Sequence, residues 1–251
     1  MNLIRLSMAA IIVPLCIAPS VARADTTTGQ LVYNFTYSVI QNMAVRDSNT
    51  SGEQTNSLGQ YSGTTTGLGH YTGTLNDKGT ITVQVLKQQP DGALVVMISE
   101  QGQDVRRAPP AECVVYGNTH VICDPSKTVY TEEYTLLRFL GRNFVDPSSL
   151  DAKKHWVITQ DSGGLNVQAD YTIDSNTNGK MAISETRSLR QPGGGSLTTD
   201  IQAKIGYDFA QSLPTSVDEY VTQRHDSGVS GNQTTIYQTT LDLVSDTMAK
   251  T

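Results

Sequence analysis

Hydrophobic residues recur at every second position through most of this chain. In residues 31–39 the odd positions are apolar or aromatic and the even positions between them are polar, and the same alternation runs through 165–173 and 201–209. Successive side chains of a strand point to opposite faces, so each of these segments has one apolar and one polar face. Such strands are typical of antiparallel sheets with one wetted side. The pattern predicts a mainly β protein of roughly ten strands.

Clusters of turn residues separate the alternating segments. They include Asn76-Asp77-Lys78-Gly79, Pro90-Asp91-Gly92, Asn176-Thr177-Asn178-Gly179 and Gln191-Pro192-Gly193-Gly194-Gly195. Short connections of this kind favour hairpins, and no helical crossovers are available to join parallel strands. We therefore predict one curved antiparallel sheet, a meander that forms a closed or half-open barrel.

One segment has helical periodicity instead. Thr131 is a predicted N-cap followed by two glutamates, and apolar residues with 3.6-residue spacing continue to Phe144 before Pro147 ends the run. The apolar stripe is wide, which suits a helix packed deeply against a sheet. We expect an amphipathic helix over 131–144 on the concave face.

The first 24 residues have the features of a secretory signal. Arg5 precedes an apolar stretch too short to span a bilayer, and Ala22-Arg23-Ala24 is an A-x-A cleavage site. We expect cleavage after Ala24 and a secreted or periplasmic mature chain without a transmembrane helix. Residues 25–251 are predicted to form a single β-rich domain, with a flexible Ser-, Thr- and Gly-rich loop at 47–73.

Two cysteines remain in the predicted mature chain. Cys113 and Cys123 flank a segment of strand formers that has Gly117-Asn118-Thr119 at its centre. A hairpin would place the cysteines opposite each other, and a pair in an oxidising compartment is expected to close. The sequence predicts a disulfide between them.

The net charge of the chain bears on which classes of partner it can bind. The chain of 251 residues has a formal net charge of −6. Nucleic acids require basic patches, so we expect no nucleic-acid partner.

One segment matches a calcium-loop pattern. Asp174, Asn176, Asn178 and Glu185 fit D-x-[DN]-x-[DN]-G-x5-E. The flanking segments alternate like strands rather than helices, and Asn178-Gly179 by itself is a hairpin signal. A turn is the preferred interpretation, with calcium binding as the alternative.

We find no convergent catalytic or cofactor constellation. Asp161-Ser162-Gly163-Gly164 resembles part of the nucleophile motif of chymotrypsin-like proteases, but the histidine motif of that family is absent. The four histidines have no close metal-ligand spacing. The chain is predicted not to be an enzyme and to need no cofactor.

The preferred function is therefore binding. A curved sheet around a helix could hold a lipid or another apolar small molecule, and the residues expected to line such a cavity are Tyr33, Phe35, Tyr37, Leu136, Leu140 and Phe144. The alternatives are a structural or adhesive protein of the cell envelope and an outer-membrane β-barrel.

Overall fold

A computed structural model describes residues 29–44, 54–56, 59–61, 63–66, 70–103, 107–117, 119–141, 144–145, 154–162, 165–191, 196–226 and 232–248. Fourteen strands and one helix lie in these ranges. They are β1 (Gly29–Ala44), β2 (Gln54–Asn56), β3 (Gly59–Tyr61), β4 (Gly63–Thr66), β5 (His70–Gln88), β6 (Leu94–Gly102), β7 (Arg107–Val115), β8 (Val121–Cys123), α1 (Thr131–Arg138), β9 (His155–Ser162), β10 (Leu165–Thr177), β11 (Lys180–Gln191), β12 (Ser196–Asp208), β13 (Leu213–Asp226) and β14 (Asn232–Asp246). The predicted signal segment lies outside the described residues.

Eleven strands form one antiparallel sheet in the order β8-β7-β6-β5-β1-β14-β13-β12-β11-β10-β9, and β4 adds to β5 beside this path. The sheet is therefore two meanders, β5 to β8 and β9 to β14, joined by β1 between them. It is not closed, because β8 and β9 form its two edges in the described part of the chain. The predicted mainly β fold is confirmed, in its half-open form.

Helix α1 lies across the concave face. It contacts β6 and β8 on one side and β13 and β14 on the other. In a flat sheet β8 and β13 would be about 29 Å apart, because six strand spacings separate them. A helix is only about 10 Å wide, so the sheet must curve strongly around α1. Among the described residues no helix is long and apolar enough to cross a membrane.

The predicted alternation is confirmed where it is clearest. Every second residue of β1 from Leu31 to Val39 is buried, and the residues between them are half-exposed or exposed. The buried set belongs to a single core cluster that also includes residues of α1.

The turn predicted at residues 76–79 is wrong. These residues lie inside β5, where Asp77 pairs with Tyr37 of β1. Gly79 is required by close packing rather than by a turn, because a Cβ there would lie 2.0 Å from the carbonyl oxygen of Gln101. The absence of a side chain allows β6 to lie close to β5 at this position. The turns at Gly92 and at Asn178-Gly179 are confirmed by their positive φ angles.

The helix begins and ends earlier than predicted. Tyr130, not Thr131, is the N-cap, and its backbone N–H donates to Glu133 Oε2 at 2.8 Å. The α-helix ends at Arg138, and Phe139 and Leu140 continue with i to i−3 hydrogen bonds. Gly141 then takes a φ of +101°, which ends the helical course before residue 144.

The predicted disulfide hairpin is present. Cys113 pairs with Cys123 across β7 and β8, and the two are disulfide-bonded. In the predicted flexible loop, the described parts form three short strands, of which β4 pairs with β5. The rest of that loop lies outside the described residues.

Candidate functional site

The concave face is organised in lateral rows that run across the strands. Residues directly opposite each other in neighbouring strands share a face, so the register defines which side chains line up. Two adjacent rows differ in chemistry and together form the candidate site.

The first row, which we call the polar belt, crosses eight strands from β9 to β5. Its members are Trp156, Tyr171, Glu185, Ala203, Glu219, Thr239, Tyr37 and Asp77. All of them except the half-buried Trp156 are buried. An apolar row that includes Phe35, Ile173 and Ile183 lies next to it toward one end of the strands.

Helix α1 supplies the countercharge to the belt. Arg138 donates through Nη1 to Glu185 Oε1 at 3.2 Å, and its Nη2 donates to Glu219. Thr135 Oγ1 donates to the other carboxylate oxygen of Glu219 at 2.7 Å. A buried charge is costly unless it is paired and hydrogen-bonded, so this cluster determines where the helix sits against the sheet.

Burial perturbs the ionisation of this cluster. Burial lowers the pKa of Arg138, but the carboxylates of Glu185 and Glu219 more than offset that effect, so the net pKa is raised. Burial also raises the pKa of Tyr171, and the nearby Glu185 carboxylate raises it further. Arginine therefore stays charged and tyrosine stays neutral over the physiological range.

Some polar atoms of the cluster have no hydrogen-bond partner among the described residues. They are Tyr171 Oη, Glu185 Oε2, Arg187 Nε and, at the β9 end of the belt, Trp156 Nε1. Buried polar groups are normally satisfied, so these atoms mark unused hydrogen-bonding capacity beneath the concave face.

The second row, which we call the open row, lies next to the belt on the side away from Phe35. Its members are Ile158, Ala169, Arg187, Ile201, Val221, Tyr237, Val39 and Leu75. Seven of the eight are apolar or aromatic. Ile158, Val221, Tyr237 and Leu75 are half-buried, so apolar surface on the concave face remains in contact with solvent.

Arg187 is the one charged member of the open row. Its side chain is 12% exposed, and its Nε lies 3.7 Å from Glu185 Oε1, the oxygen that also accepts from Arg138. Burial and the neighbouring Arg138 guanidinium lower the pKa of Arg187. The guanidinium therefore sits between the belt and the open row with a weaker carboxylate contact than Arg138 has.

The six residues predicted to line a cavity all lie in the core cluster. Tyr33, Phe35 and Tyr37 are buried on β1, and Tyr33 Oη donates to the Pro214 carbonyl at 2.8 Å. Leu136 and Leu140 are buried at α1.

Phe144, the sixth of these residues, is the centre of an aromatic group. Its ring makes edge-on contacts with Phe139, Trp156, Tyr171 and Tyr207 at centroid distances of 5.2, 6.0, 5.3 and 5.4 Å. The predicted lining residues are thus buried in the core, Tyr37 as a member of the belt, whereas the half-buried apolar residues of the open row contact solvent on this face.

The four calcium candidates are not brought together. Asn178 and Gly179 form the tip of the β10–β11 hairpin with φ of +52° and +81°, and Asn176 Oδ1 accepts from Gly179 N at 3.0 Å. Asp174 is exposed, and Ser184 Oγ donates to it. Glu185 is buried on the concave face against Arg138. Within the described ranges, no group of three His, Cys, Asp or Glu side chains is positioned to hold a metal ion.

Sequence reasoning missed the belt and Arg187, although a signal was present. Glu185 and Arg187 follow Met181 and Ile183 in the same alternation phase, and Glu219 stands between Val217 and Val221. A charged residue in the apolar phase of a strand must find a partner inside. That rule identifies the sheet residues of the cluster, though not Arg138 of the helix.

Fold and site define a half-open antiparallel sheet that is curved around one helix, with a charged belt and an open apolar row on its concave face. No family model matches the chain, and no curated protein matches it. One matching solved structure is described as "Lipid-protein interactions in lipovitellin"; it has 9% sequence identity and a TM-score of 0.47 over 90% of this chain. This chain spans about a quarter (26%) of the length of that one. A likeness at that score supports no conclusion about function.

Proposed function

We propose that this chain is an exported, non-catalytic protein that binds an amphipathic small molecule on the concave face of its sheet. The observation that carries the proposal is the open row, in which the half-buried apolar residues Ile158, Val221, Tyr237 and Leu75 are interspersed with buried ones beside a buried charged cluster. Apolar surface that stays accessible on a concave face commonly marks a binding site. Ligand sites are typically apolar with a few placed polar groups, and the row and belt together have that composition.

The geometry suggests how such a ligand would lie. Eight strands contribute to the open row, so its arc is about 34 Å long. An acyl chain would follow Val221, Tyr237 and Val39 across the middle strands. An anionic headgroup would lie at Arg187, because that guanidinium has only a long contact with Glu185.

Export is proposed on two grounds. Residues 1–24 have the composition of a secretory signal. The Cys113–Cys123 disulfide is typical of proteins that reside in an oxidising compartment. A non-catalytic role is proposed because the Glu185 and Glu219 carboxylates are engaged by Arg138 and Thr135, which leaves them poorly placed for proton transfer.

The test is a pair of valine variants. Val221→Glu places a carboxylate in the open row, whereas Val244→Glu places the same group on the opposite face of β14, where Val244 is already exposed. We expect Val221→Glu to weaken binding of a fluorescent long-chain fatty acid about tenfold or more, since a carboxylate cannot be buried under an acyl chain without a large cost. Val244→Glu should bind like the parent protein.

The headgroup is tested separately. Arg187→Gln should weaken the fatty acid and leave the corresponding fatty alcohol unchanged, because only the acid gains from the guanidinium. Native mass spectrometry of protein from its own host would show whether a lipid co-purifies. The proposal is wrong if folded Val221→Glu, checked by circular dichroism, binds the fatty acid as well as Val244→Glu does.

A further inference from the structure

A groove lies on the convex, polar face of the sheet, opposite the face that holds α1. Strands β10 to β13 form this groove, which has a volume of about 380 Å³. This volume is within the range of small-molecule sites. Its lining residues come from all four strands and include Asp170, Asp200, Gln202, Tyr220 and Arg224. It shares strands with the open row but, apart from Arg187 and Ile201, presents the alternate residues of those strands.

The register explains why these side chains converge. Thr186, Gln202 and Tyr220 lie directly opposite one another in β11, β12 and β13, and Asp170 continues this line on β10. Ser188, Asp200 and Thr222 form a second line beside it. The side chains of Arg187 and Ile201 belong to the concave face, so these residues complete the floor of the groove. A rigid sheet thus holds two parallel lines of hydrogen-bonding groups.

The two aspartates of the groove are oriented by neighbours and still accessible. Asp200 accepts from Ser188 Oγ at 2.8 Å and from Arg224 Nη1 at 2.7 Å. Asp170 Oδ1 lies 3.2 Å from His155 Nε2. The side chains of Asp200, Asp170 and Arg224 are 40%, 45% and 59% exposed. They are pre-positioned and keep lone pairs and N–H groups for a ligand.

Tyr220 adds a flat apolar surface to these polar walls. Its side chain is 42% exposed, at one end of the line of polar residues. An aromatic ring with an accessible face gives contact area at low conformational cost. The groove therefore combines one ring with side chains that can accept and donate pairs of hydrogen bonds.

We propose that this groove binds a neutral oligosaccharide. Adjacent sugar hydroxyls match the paired oxygens and N–H groups of Asp200, Gln202 and Arg224, and the C–H face of a pyranose matches the Tyr220 ring. The lining contains two aspartates, Asp170 and Asp200, and two arginines, Arg187 and Arg224, so the groove has no excess charge to attract a polyanion or a cation. Its polar walls would not accommodate an acyl chain.

The experiment is a binding screen of the full mature chain against soluble neutral and anionic oligosaccharides, with insoluble polysaccharides as a separate arm. The best soluble binder is then titrated by calorimetry. Tyr220→Ala and Gln202→Ala should each weaken it about tenfold. Gln84→Ala is the matched control, since Gln84 is also an exposed strand glutamine but lies on β5, outside the groove, and it should bind like the parent.

The outcomes separate clearly. Binding of soluble oligosaccharides indicates a free sugar ligand, whereas binding only of insoluble polymers indicates a surface glycan. Both results support the proposal if Tyr220→Ala weakens the binding. Absence of any neutral glycan binder, preference for anionic glycans, or equal binding by folded Tyr220→Ala and Gln84→Ala overturns it. Val221→Glu in the open row should leave glycan binding unchanged, so this result is independent of the amphipathic-ligand proposal.

Discussion

The part of the sheet formed by β11 to β13 carries ion pairs on both faces, and the two sets differ in environment. On the concave face Arg138, Glu185 and Glu219 have side chains that are at most 6% exposed. On the opposite face Arg224 and Asp200 form a similar pair with side chains that are 59% and 40% exposed. Both sets are charge-assisted hydrogen bonds between β11, β12 or β13 and a neighbouring side chain.

The difference shows that the geometry of an ion pair does not by itself determine how much the pair contributes to the free energy of unfolding. Removing one partner of a buried pair leaves an uncompensated charge in a medium of low dielectric constant. Removing one partner of an exposed pair returns the other to water. We therefore expect the inner cluster to control stability and the position of α1, and the outer pair to be available for recognition.

The largest expected effect comes from Arg138→Met. It leaves Glu185 and Glu219 without their guanidinium, and we expect a loss of about 3–5 kcal/mol in the free energy of unfolding. Urea denaturation at neutral pH measures it. The triple variant Arg138→Met, Glu185→Gln, Glu219→Gln should recover most of the loss, because neither carboxylate is then left buried without its guanidinium and Arg187 loses only a long contact of 3.7 Å. A loss below about 1 kcal/mol for the single variant would mean that the belt is hydrated.

An intermediate effect is expected at alkaline pH. Burial raises the pKa of Tyr33, Tyr171 and Tyr207 far above the ordinary value of 10.0. A group whose pKa is raised by folding contributes stability below its unfolded pKa and loses it as pH rises toward the folded pKa. At pH 11, about one unit above the ordinary pKa, each of these tyrosines should lower the free energy of unfolding by about 1.4 kcal/mol.

This loss is measured by urea unfolding at two pH values. One is pH 8, about two units below the ordinary tyrosine pKa, and the other is pH 11, about one unit above it. Tyr171→Phe should reduce it by about one tyrosine's share, since the Tyr171 hydroxyl has no hydrogen-bond partner among the described residues. Smooth formation of tyrosinate near pH 10 by all the tyrosines, with circular dichroism unchanged, would contradict the buried environment assigned to these rings.

The smallest effect is expected for the outer pair. Arg224→Gln should change the free energy of unfolding by less than about 1 kcal/mol, because both side chains are well exposed. Any effect should shrink further in high salt, which screens exposed charges. Urea denaturation at low and high ionic strength checks this, with Arg138→Met measured in parallel. A salt-insensitive loss comparable to that of Arg138→Met would remove the distinction between the two faces.

Much of the fold follows from local patterns. The alternation from Leu31 to Val39 predicts which residues enter the core, because only one face of that strand is apolar and only that face can be buried. The hairpin between Cys113 and Cys123 and the Asn178-Gly179 turn are likewise encoded by neighbouring residues. The turn predicted at Asn76–Gly79 was wrong because Gly79 is required for the close approach of a neighbouring strand and Asp77 belongs to the polar belt. Both are tertiary requirements, but they select residue types that are also common in turns.

The site was harder to predict because its partners are distant in sequence. Arg138 lies 81 residues from Glu219, and its position near the end of α1 is equally consistent with a solvated helix terminus. Glu185 was assigned to a calcium pattern because the match was local, whereas its actual contacts are tertiary. Half-exposure of the open row depends on how far the sheet extends beyond α1, which alternation cannot show.

The central position of β1 has a consequence for how the chain folds. Leu31 of β1 pairs with Asp246 of β14, and Gln30 accepts a backbone hydrogen bond from Thr247 at 2.9 Å. The two meanders can each assemble from neighbouring hairpins, yet they become one sheet only when the last strand docks beside the first. Pairings this remote in sequence are slow to form, and an unsatisfied strand edge invites association between chains. During that interval β1 would be the segment that most needs protection from aggregation.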